Sequence, residues 1–311
     1  RDRDVTGVQT CALPIFVPLV DENRTLVREG LDLINSNPRP GILALLKSAK
    51  IEPGNLSAGQ IVFTIAPRIN AVGRLGDANR AVELFTTTDP KRAMELASVL
   101  EGENTARRRI DEKTFGEALK LVEDEHDLAA DLGIVLHNND WHPGVIGIVA
   151  SRLVERYHRP SVMLTTIDGV AKGSARSIPG FNIYEALQAC EHLLLQFGGH
   201  EAAAGLAVEI DKIDIFKTEF NIALKKCMTQ KDVIPEISID AKLVFSEITP
   251  KFFRILNQFS PFGWGNSKPV FLSEGVSLVY QPRIVGTNHL IATFKQNGGD
   301  KVFDSIGFNL G

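Results

Sequence analysis

The sequence predicts an α/β protein built from three regions with different patterns. Residues 16–125 place apolar side chains at helical spacing, and residues 90–125 are typical of one long helix. Residues 126–231 alternate between short apolar runs and amphipathic helices, as in a sheet packed against helices. After Pro235, short strand-like runs between turn residues predict a small β-barrel that is truncated.

Composition narrows the class of protein. The chain has 311 residues, 44% hydrophobic and 23% charged, which is ordinary for a globular protein of two or three domains. A formal net charge of −4 argues against a protein that coats nucleic acid by bulk charge, but it is compatible with a local basic groove. Three cysteines without metal-type spacing fit a reducing compartment. With no membrane span or secretory signal in the sequence, the predicted location is cytoplasmic.

The first fifteen residues differ from the rest of the chain. Residues 5–15 resemble the translation of a common sequencing-adapter oligonucleotide, with a divergent native strand as the alternative. We therefore expect residues 1–15 to be non-native, and we leave Cys11 out of the functional argument. The last residues stop inside a β-like pattern, so we expect a fragment cut at both ends.

Helices are predicted in the first part of the chain from apolar spacing. They cover residues 23–34, 42–49, 57–63 with Ser57 as N-cap, 80–85 and 90–125. The last helix is polar over residues 101–112, which suits a connector between two domains, and a domain boundary is expected near residues 124–131. Its Arg107-Arg108-Arg109 run has two interpretations, a nucleic-acid contact or the commoner solvated helix face.

A polar, glycine-punctuated segment over residues 66–78 predicts a binding loop. It holds Arg68, Asn70 and Arg74 among small residues, and guanidinium groups on loops commonly bind anions. The alternative is a loop whose arginines are merely hydrated.

The best-supported site is an anion pocket in the α/β region. Ser174 and Arg176 alternate along a predicted strand over residues 171–177, so their side chains share one face. A Gly198-Gly199-His200 loop follows a predicted helix over residues 182–195, and its glycines allow close approach to a ligand. A hydroxyl, a guanidinium and a glycine backbone that a ligand can approach closely together suit the binding of a phosphate group.

His142 is a second candidate in the same region. It precedes Pro143 at the start of a predicted helix over residues 145–157, and helix N-termini attract anions. Binding and structural roles are equally supported for it. The remaining predicted elements of this region are strands over 132–136, 161–165 and 205–209 and a helix over 214–228.

The C-terminal region predicts strands with one helix among them. The predicted strands cover residues 237–239, 270–272, 276–280, 283–285, 290–294 and 302–308. A helix over 250–259 and a turn-rich loop over 261–266 interrupt them. No Walker motif, nucleophile elbow or HExxH zinc motif occurs in the sequence, and its histidines and aspartates are too scattered to nominate a metal site.

Several motifs in combination resemble the RecJ family of bacterial single-stranded-DNA-specific exonucleases, in the DHH phosphoesterase superfamily. The resemblance runs from residue 16 to residue 311, and the order of the motifs makes it specific. The motifs are Val17-Pro18-Leu19, Pro67-Arg68-Ile69-Asn70-Ala71, Gly73-Arg74-Leu75-Gly76-Asp77-Ala78, Trp141-His142-Pro143-Gly144-Val145-Ile146-Gly147, Gly173-Ser174-Ala175-Arg176-Ser177, Gly198-Gly199-His200 with Ala203-Ala204-Gly205, and Pro261-Phe262-Gly263.

The resemblance implies a division into domains and an activity. Residues 16–90 would be the C-terminal remnant of the DHH domain, 91–125 the connecting helix, 126–231 the DHH-associated domain and 232–311 a truncated OB-fold. Family members remove nucleotides from single-stranded DNA in the 5′→3′ direction with Mn²⁺ or Mg²⁺, in DNA repair and recombination. Their metal-binding motifs lie upstream of this sequence, so the resemblance assigns no metal ligand here.

The resemblance also assigns residue roles and partners. Ser174 and Arg176 would hold the terminal phosphate or backbone of the DNA, and His200 would be the catalytic residue that faces the scissile phosphate, with Gly198 and Gly199. Arg68, Asn70 and Arg74 would line the groove where the two large domains meet, and His142 is a separate substrate-binding candidate. Single-stranded DNA, a single-stranded-DNA-binding protein and a recombination helicase are the implied partners, with no membrane.

Two other functions stay open at this point. One is a DHH phosphodiesterase that acts on short oligonucleotides or cyclic dinucleotides, although the connecting helix and the β-rich region weigh against it. The other is a non-catalytic DNA-binding relative that kept the fold and lost hydrolysis. Intact or decayed metal motifs upstream would separate these alternatives.

We expect this chain alone to bind single-stranded DNA without digesting it, because the resemblance places the metal motifs upstream. Fluorescence anisotropy of a labelled oligonucleotide measures the binding, and a denaturing gel after incubation with Mn²⁺ measures digestion. Metal-dependent shortening of the oligonucleotide by the purified chain would contradict this expectation.

Overall fold

A computed structural model describes residues 17–286, 288–308 and 310–311. The predicted non-native segment, residues 1–15 with Cys11, lies outside the described residues. Contacts within the chain define two units. The first comprises Val17 and residues 30–235, and the second comprises residues 18–29 and 236–311.

Helices account for most of the chain before residue 126. Their bounds are α1 (Asp21–Ser36), α2 (Pro40–Ser48), α3 (Ala58–Gln60), α4 (Ala66–Leu75), α5 (Asn79–Thr86) and α6 (Pro90–Glu125). A π-helical turn (Ile61–Ile65) joins α3 to α4. Ser57 caps α3 by accepting a hydrogen bond from the Gln60 N–H, which confirms that predicted cap. No helix in the described ranges has both the length and the apolar character needed to cross a membrane.

A five-stranded sheet forms the centre of the first unit, in the order β1-β2-β3-β5-β4. The strands are β1 (Ile134–His137), β2 (Ser161–Ile167), β3 (Val170–Arg176), β4 (Leu194–His200) and β5 (Ala203–Glu209). The helices that accompany them are α7 (Pro143–Tyr157), α8 (Ile183–Ala189) and α9 (Ile213–Cys227). β1 and β2 pair in parallel, and the other neighbouring strands are antiparallel. In this order β4 is an edge strand.

The two faces of this sheet pack against different helices. One face buries Val162, Ala175 and Leu206 against α8 and α9. The other buries Leu136 and Met163 against α6 and α7. The sheet is therefore the middle layer of the α/β part of the unit.

The long helix α6 contributes to two separate cores. Leu96 and Leu100 near its start pack in a helical core with α2, α4 and α5. Ala118 and Val122 near its end pack against the sheet. The structure confirms the single helix over 90–125, which joins these two cores.

The second unit is rich in short strands. Its elements are β6 (Ala241–Lys242), α10 (Pro250–Asn257), β7 (Phe271–Leu272), β8 (Val276–Leu278), β9 (Arg283–Val285), β10 (His289–Gln296) and β11 (Val302–Gly307). β10 pairs with β8, β9 and β11, all antiparallel, while β6 pairs in parallel with β7. The described strands do not close into a barrel, in agreement with the truncated barrel predicted from the sequence.

The structure corrects the interpretation of residues 66–78. The predicted binding loop is the helix α4 over most of its length, and only its last residues leave the helix. Pro67 occupies the first helical turn, where a missing N–H costs nothing, and Val72 is fully buried in the helical core. Tertiary packing of one apolar side therefore outweighs the polar, glycine-rich composition.

Three further predictions of local structure are wrong. The helix over 182–195 ends at Ala189, because Leu194 and the residues after it pair with β5 as strand β4. Gly198-Gly199-His200 is consequently the end of a strand and not a loop. The predicted strand over 237–239 is not formed, and its isoleucines are exposed.

Asn221 on α9 anchors the start of β1, and we expect its removal to destabilise the first unit. Its Oδ1 accepts hydrogen bonds from the N–H groups of Leu132 and Gly133, both at 3.0 Å, in a buried setting. Asn221→Ala leaves these donors unmet and should lower the free energy of unfolding by about 2–4 kcal/mol. Urea unfolding followed by circular dichroism measures the change.

Thr218→Ala is the matched control on the same helix. The Thr218 hydroxyl is exposed and donates to the Asp214 carbonyl one turn earlier. Its loss should change the free energy of unfolding by less than about 0.5 kcal/mol. Equal effects of the two substitutions would show that Asn221 does not anchor β1.

Candidate phosphate-binding site

One face of the sheet brings the predicted phosphate-binding residues together. Arg176 on β3 lies in the same cross-strand row as His200 on β4, with β5 between them. Ser174 lies in the next row on that face, together with Gly205 and Gly198. Residues opposite each other in a sheet, and alternate residues of one strand, point to the same side. Neighbouring strands lie about 4.8 Å apart, so the backbones of Arg176 and His200 are separated by about 10 Å.

Ser174 and Arg176 form a buried polar pair at this face. Each residue is 6% exposed. Arg176 Nη1 donates to Ser174 Oγ and to the Ala175 carbonyl, both at 2.7 Å. Arg176 Nε is buried and has no hydrogen-bond partner among the described residues. An unmet buried donor costs about 1–3 kcal/mol, which an anionic oxygen at this position would remove.

The two adjacent glycines of β4 have different roles. Gly199 has φ +152°, and a Cβ there would lie 2.3 Å from the Ala203 carbonyl oxygen and 2.5 Å from Ala204 Cα. Gly199 therefore permits β4 to approach β5. A Cβ on Gly198 would meet nothing within 4 Å, so Gly198 leaves open space in the row of Ser174.

The two candidate histidines present the same tautomer. Nδ1 of His200 accepts a hydrogen bond from the Ala202 N–H at 3.3 Å, and Nδ1 of His142 accepts one from the Gly144 N–H at 3.0 Å. An Nδ1 that accepts places the proton of the neutral ring on Nε2. His200 is exposed, so its Nε2–H can donate to a ligand above β4. His142 serves as the N-cap of α7.

Arg74 meets α7 at the same turn as His142. Its Nη1 donates to the Gly144 carbonyl at 2.9 Å, and a Cβ on Gly144 would lie 2.8 Å from the Arg74 carbonyl oxygen. Gly144 therefore allows the end of α4 to contact the first turn of α7. Arg74 and His142 form a second group of site candidates at this turn.

Arg74 and His142 lie near one end of β2, and Arg176 lies near the other end. The carbonyl of Trp141, next to His142, accepts from the Thr165 hydroxyl at 2.7 Å. Arg176 pairs with Ser161, at the start of the same strand. Four residues of a strand span about 13 Å. The structure does not place His142 in one pocket with Ser174 and Arg176.

Arg68 and Asn70 lie elsewhere on α4. Arg68 is 5% exposed, pairs with the carboxylate of Glu101 on α6, and donates from Nη1 to the Thr64 carbonyl at 2.6 Å. Asn70 is exposed. The predicted roles of Arg68 and Asn70 in substrate binding stay predictions.

A buried polar stripe on α6 was not assigned from the sequence. Asn104, Asp111 and Thr114 are buried, and Arg107 is nearly so, on the side of the helix that faces α7. Burial lowers the pKa of Arg107 and Asp111 raises it, while Arg108, Arg74 and Arg152 lower it further. The signal was present in the sequence, because these positions continue the spacing of the buried residues Leu100 and Ala118.

The described residues do not fit a divalent metal site. Among them, no group of three or more histidine, cysteine, aspartate or glutamate side chains could hold a metal ion. We therefore derive no reaction step through a metal from this chain.

Comparisons with known proteins match the two C-terminal regions to named domains. A family model described as the DHHA1 domain matches residues 130–226, and one described as the RecJ OB domain matches residues 239–311. The single-stranded-DNA-specific exonuclease RecJ of Bacillus subtilis is 36% identical over 312 residues, covering 99% of this chain and 39% of that protein. RecJ of Escherichia coli is 35% identical over 302 residues, covering 94% of this chain and 52% of that protein. The chain thus spans about two fifths to one half of these relatives.

Solved structures of RecJ proteins also match this chain. The crystal structure of RecJ in complex with Mg²⁺ from Thermus thermophilus superposes with a TM-score of 0.77 at 34% identity, over 91% of this chain and 43% of that one. Exonuclease RecJ bound to manganese has a TM-score of 0.59 at 34% identity, over 71% of this chain and 53% of that one. The chain belongs to the RecJ family. In this RecJ-family chain, the sheet face with Ser174, Arg176 and His200 lies in the part matched by the DHHA1 domain.

The two adjacent glycines of β4 should respond differently to a methyl group. Gly199→Ala would force a Cβ against β5 and should lower the free energy of unfolding by about 2–4 kcal/mol. Gly198→Ala adds its methyl to open space and should change this energy by less than about 1 kcal/mol. Chemical denaturation of both RecJ-family variants tests the difference. A stable Gly199→Ala variant would show that β4 does not need the close approach.

Proposed function

We propose that this chain is the substrate-binding part of a single-stranded-DNA-specific 5′→3′ exonuclease that acts in DNA repair and recombination. The relatives it matches are named single-stranded-DNA-specific exonucleases. RecJ of Thermus thermophilus was crystallised in complex with Mg²⁺ and with Mn²⁺, which supports metal-dependent phosphodiester hydrolysis in the whole protein. Single-stranded DNA is the proposed ligand of the OB domain.

The observation that carries the proposal is the unmet donor of Arg176. Its Nη1 is held by Ser174 and the Ala175 carbonyl, so the guanidinium has one fixed orientation. Its Nε–H lacks a protein acceptor among the described residues. Neither the Ser174 hydroxyl nor the Ala175 carbonyl, which hold its Nη1, carries a negative charge. A phosphate oxygen supplies both the acceptor and the negative charge.

His200 and Gly198 extend the proposed phosphate contact from Arg176 toward the edge strand β4. His200 presents an Nε2–H at the open edge strand, where it can donate to a second phosphate oxygen. Gly198 leaves space beside these two donors, in the neighbouring row with Ser174. We assign the terminal phosphate to Ser174 and Arg176 and the scissile phosphate to the side of His200. A single-stranded-DNA-binding protein and a recombination helicase are the proposed partners, and the cytoplasm is the proposed compartment.

Arg176→Ala should weaken the binding of a 5′-phosphorylated oligonucleotide by about 1–3 kcal/mol, because one charged hydrogen bond is lost. It should weaken the binding of the matching 5′-hydroxyl oligonucleotide much less. Fluorescence anisotropy with both oligonucleotides at one fixed salt concentration measures the two affinities.

Lys225→Ala controls for the loss of one positive charge. Lys225 is exposed on α9, which packs on the opposite face of the sheet. This variant should keep the affinity for both oligonucleotides. The assignment of Arg176 is wrong if its variant binds the phosphorylated oligonucleotide as tightly as the unmodified chain does.

A further inference from the structure

A second cationic group lies between α4, α6 and α7, and we call it the α6 cluster. Its members are Arg74, Asn104, Arg107, Asp111 and Arg152. Arg152 Nη1 donates to Asp111 Oδ1 at 3.1 Å, and Arg107 Nη1 lies 3.9 Å from Asp111 Oδ2. Arg107 Nη2 donates to Asn104 Oδ1 at 3.3 Å.

Two buried donors of the α6 cluster have no acceptor. Asn104 is 0% exposed, and its Nδ2 has no hydrogen-bond partner among the described residues. Arg107 Nε is unmet in the same way. The orientation of the Asn104 amide is determined, because its oxygen must face the donating guanidinium of Arg107. Both unmet atoms are N–H donors, so the missing partner must be an acceptor.

The charges of the α6 cluster also lack a counterpart. Two guanidinium groups, those of Arg107 and Arg152, share the carboxylate of Asp111. Arg74 adds further positive charge near Arg107. Two glutamates of α6, Glu101 and Glu103, pair with Arg68 and Arg80. The second carboxylate oxygen of Glu103 is a buried acceptor without a hydrogen-bond partner among the described residues. The side chain of Arg152 is 35% exposed, which connects the cluster to solvent. The cluster is therefore electropositive and rich in donors. It reaches solvent through Arg152, while Arg107 Nε and Asn104 Nδ2 lie beneath the surface.

We propose that the α6 cluster binds a phosphate group, through Arg107 Nε and Asn104 Nδ2, as a second contact to the DNA strand. The inference rests on the proposed function for the identity of the strand, because inorganic phosphate has the same chemistry. The cluster is formed by residues of α4, α6 and α7, whereas Ser174 and Arg176 belong to β3. It binds an internal backbone phosphate, so its contribution does not depend on the 5′ end.

Arg107→Gln tests the contact, with Arg109→Gln as its matched control. Arg109 lies two residues along the same helix, is exposed, and carries the same charge. Arg107→Gln should weaken binding of a long single-stranded oligonucleotide about tenfold and reduce the slope of log affinity against log salt by about 0.7. Arg109→Gln should change the affinity by less than about twofold. Equal effects of the two variants would overturn the proposal.

Asn104→Asp separates binding from a purely structural role. A carboxylate at this position still accepts from Arg107, and it neutralises part of the buried positive charge, so the melting temperature should not fall. It also replaces the unmet donor with negative charge, so binding of the oligonucleotide should weaken at least about tenfold. Unchanged affinity in a folded Asn104→Asp chain would overturn the proposal, even if Arg107→Gln fails to fold.

Two further arms identify the source of the phosphate and the dependence on the first site. Arg107→Gln should lower affinity for 5′-phosphoryl and 5′-hydroxyl oligonucleotides by the same factor, whereas the first site predicts a difference for Arg176→Ala. If Arg176→Ala changes the affinity for both oligonucleotides equally while Arg107→Gln still weakens both, the proposed first site is refuted and the α6 cluster is supported. Stabilisation by inorganic phosphate that requires Arg107, with unchanged oligonucleotide affinity, would assign a free anion and overturn the strand contact.

Discussion

Burial of a guanidinium group obliges its surroundings to supply acceptors for up to five N–H donors. Arg159 shows how this chain meets that demand with its own backbone. Its Nε, Nη1 and Nη2 donate to the carbonyls of Asp131, Tyr157 and Leu128 at 3.0, 2.9 and 2.6 Å. Within the described part of the chain, Arg176 and Arg107 each have a buried Nε without a hydrogen-bond acceptor. Comparison of these arginines within one fold distinguishes a structural arginine from one that is oriented by the protein and completed by a ligand.

The helix α6 explains how the unmet donor of Arg107 can exist in a stable unit. Its two ends are anchored by apolar packing, near Leu96 in the helical core and near Val122 beneath the sheet. Between these ends the same face is polar, so the α6 cluster does not have to stabilise the helix itself. Apolar anchors on both sides can offset the cost of unmet donors in the middle.

The sequence was informative where one local rule decided the structure. The long helix, the Ser57 cap and the alternation of Ser174 and Arg176 each follow from spacing within a few residues. The rule failed where a distant partner decided. Leu194 and Leu195 belong to a helical pattern, yet pairing with β5 makes them a strand, and burial of Val72 makes a helix of a glycine-rich segment. The α6 cluster required the arginines of three helices, which no spacing along the chain reveals.

The choice of arginine at position 176 is best explained by its planar fork. One nitrogen holds the side chain against Ser174 and the Ala175 carbonyl, and this contact fixes the direction of Nε. A lysine has one flexible ammonium group, which could hold the strand or bind the ligand but could not present a second donor at a fixed angle. A terminal phosphate has more charge and more unesterified oxygens than an internal phosphodiester. Donors held at fixed positions beside the space at Gly198 can therefore favour the end of a strand, whereas a diffuse positive surface would bind every phosphate alike.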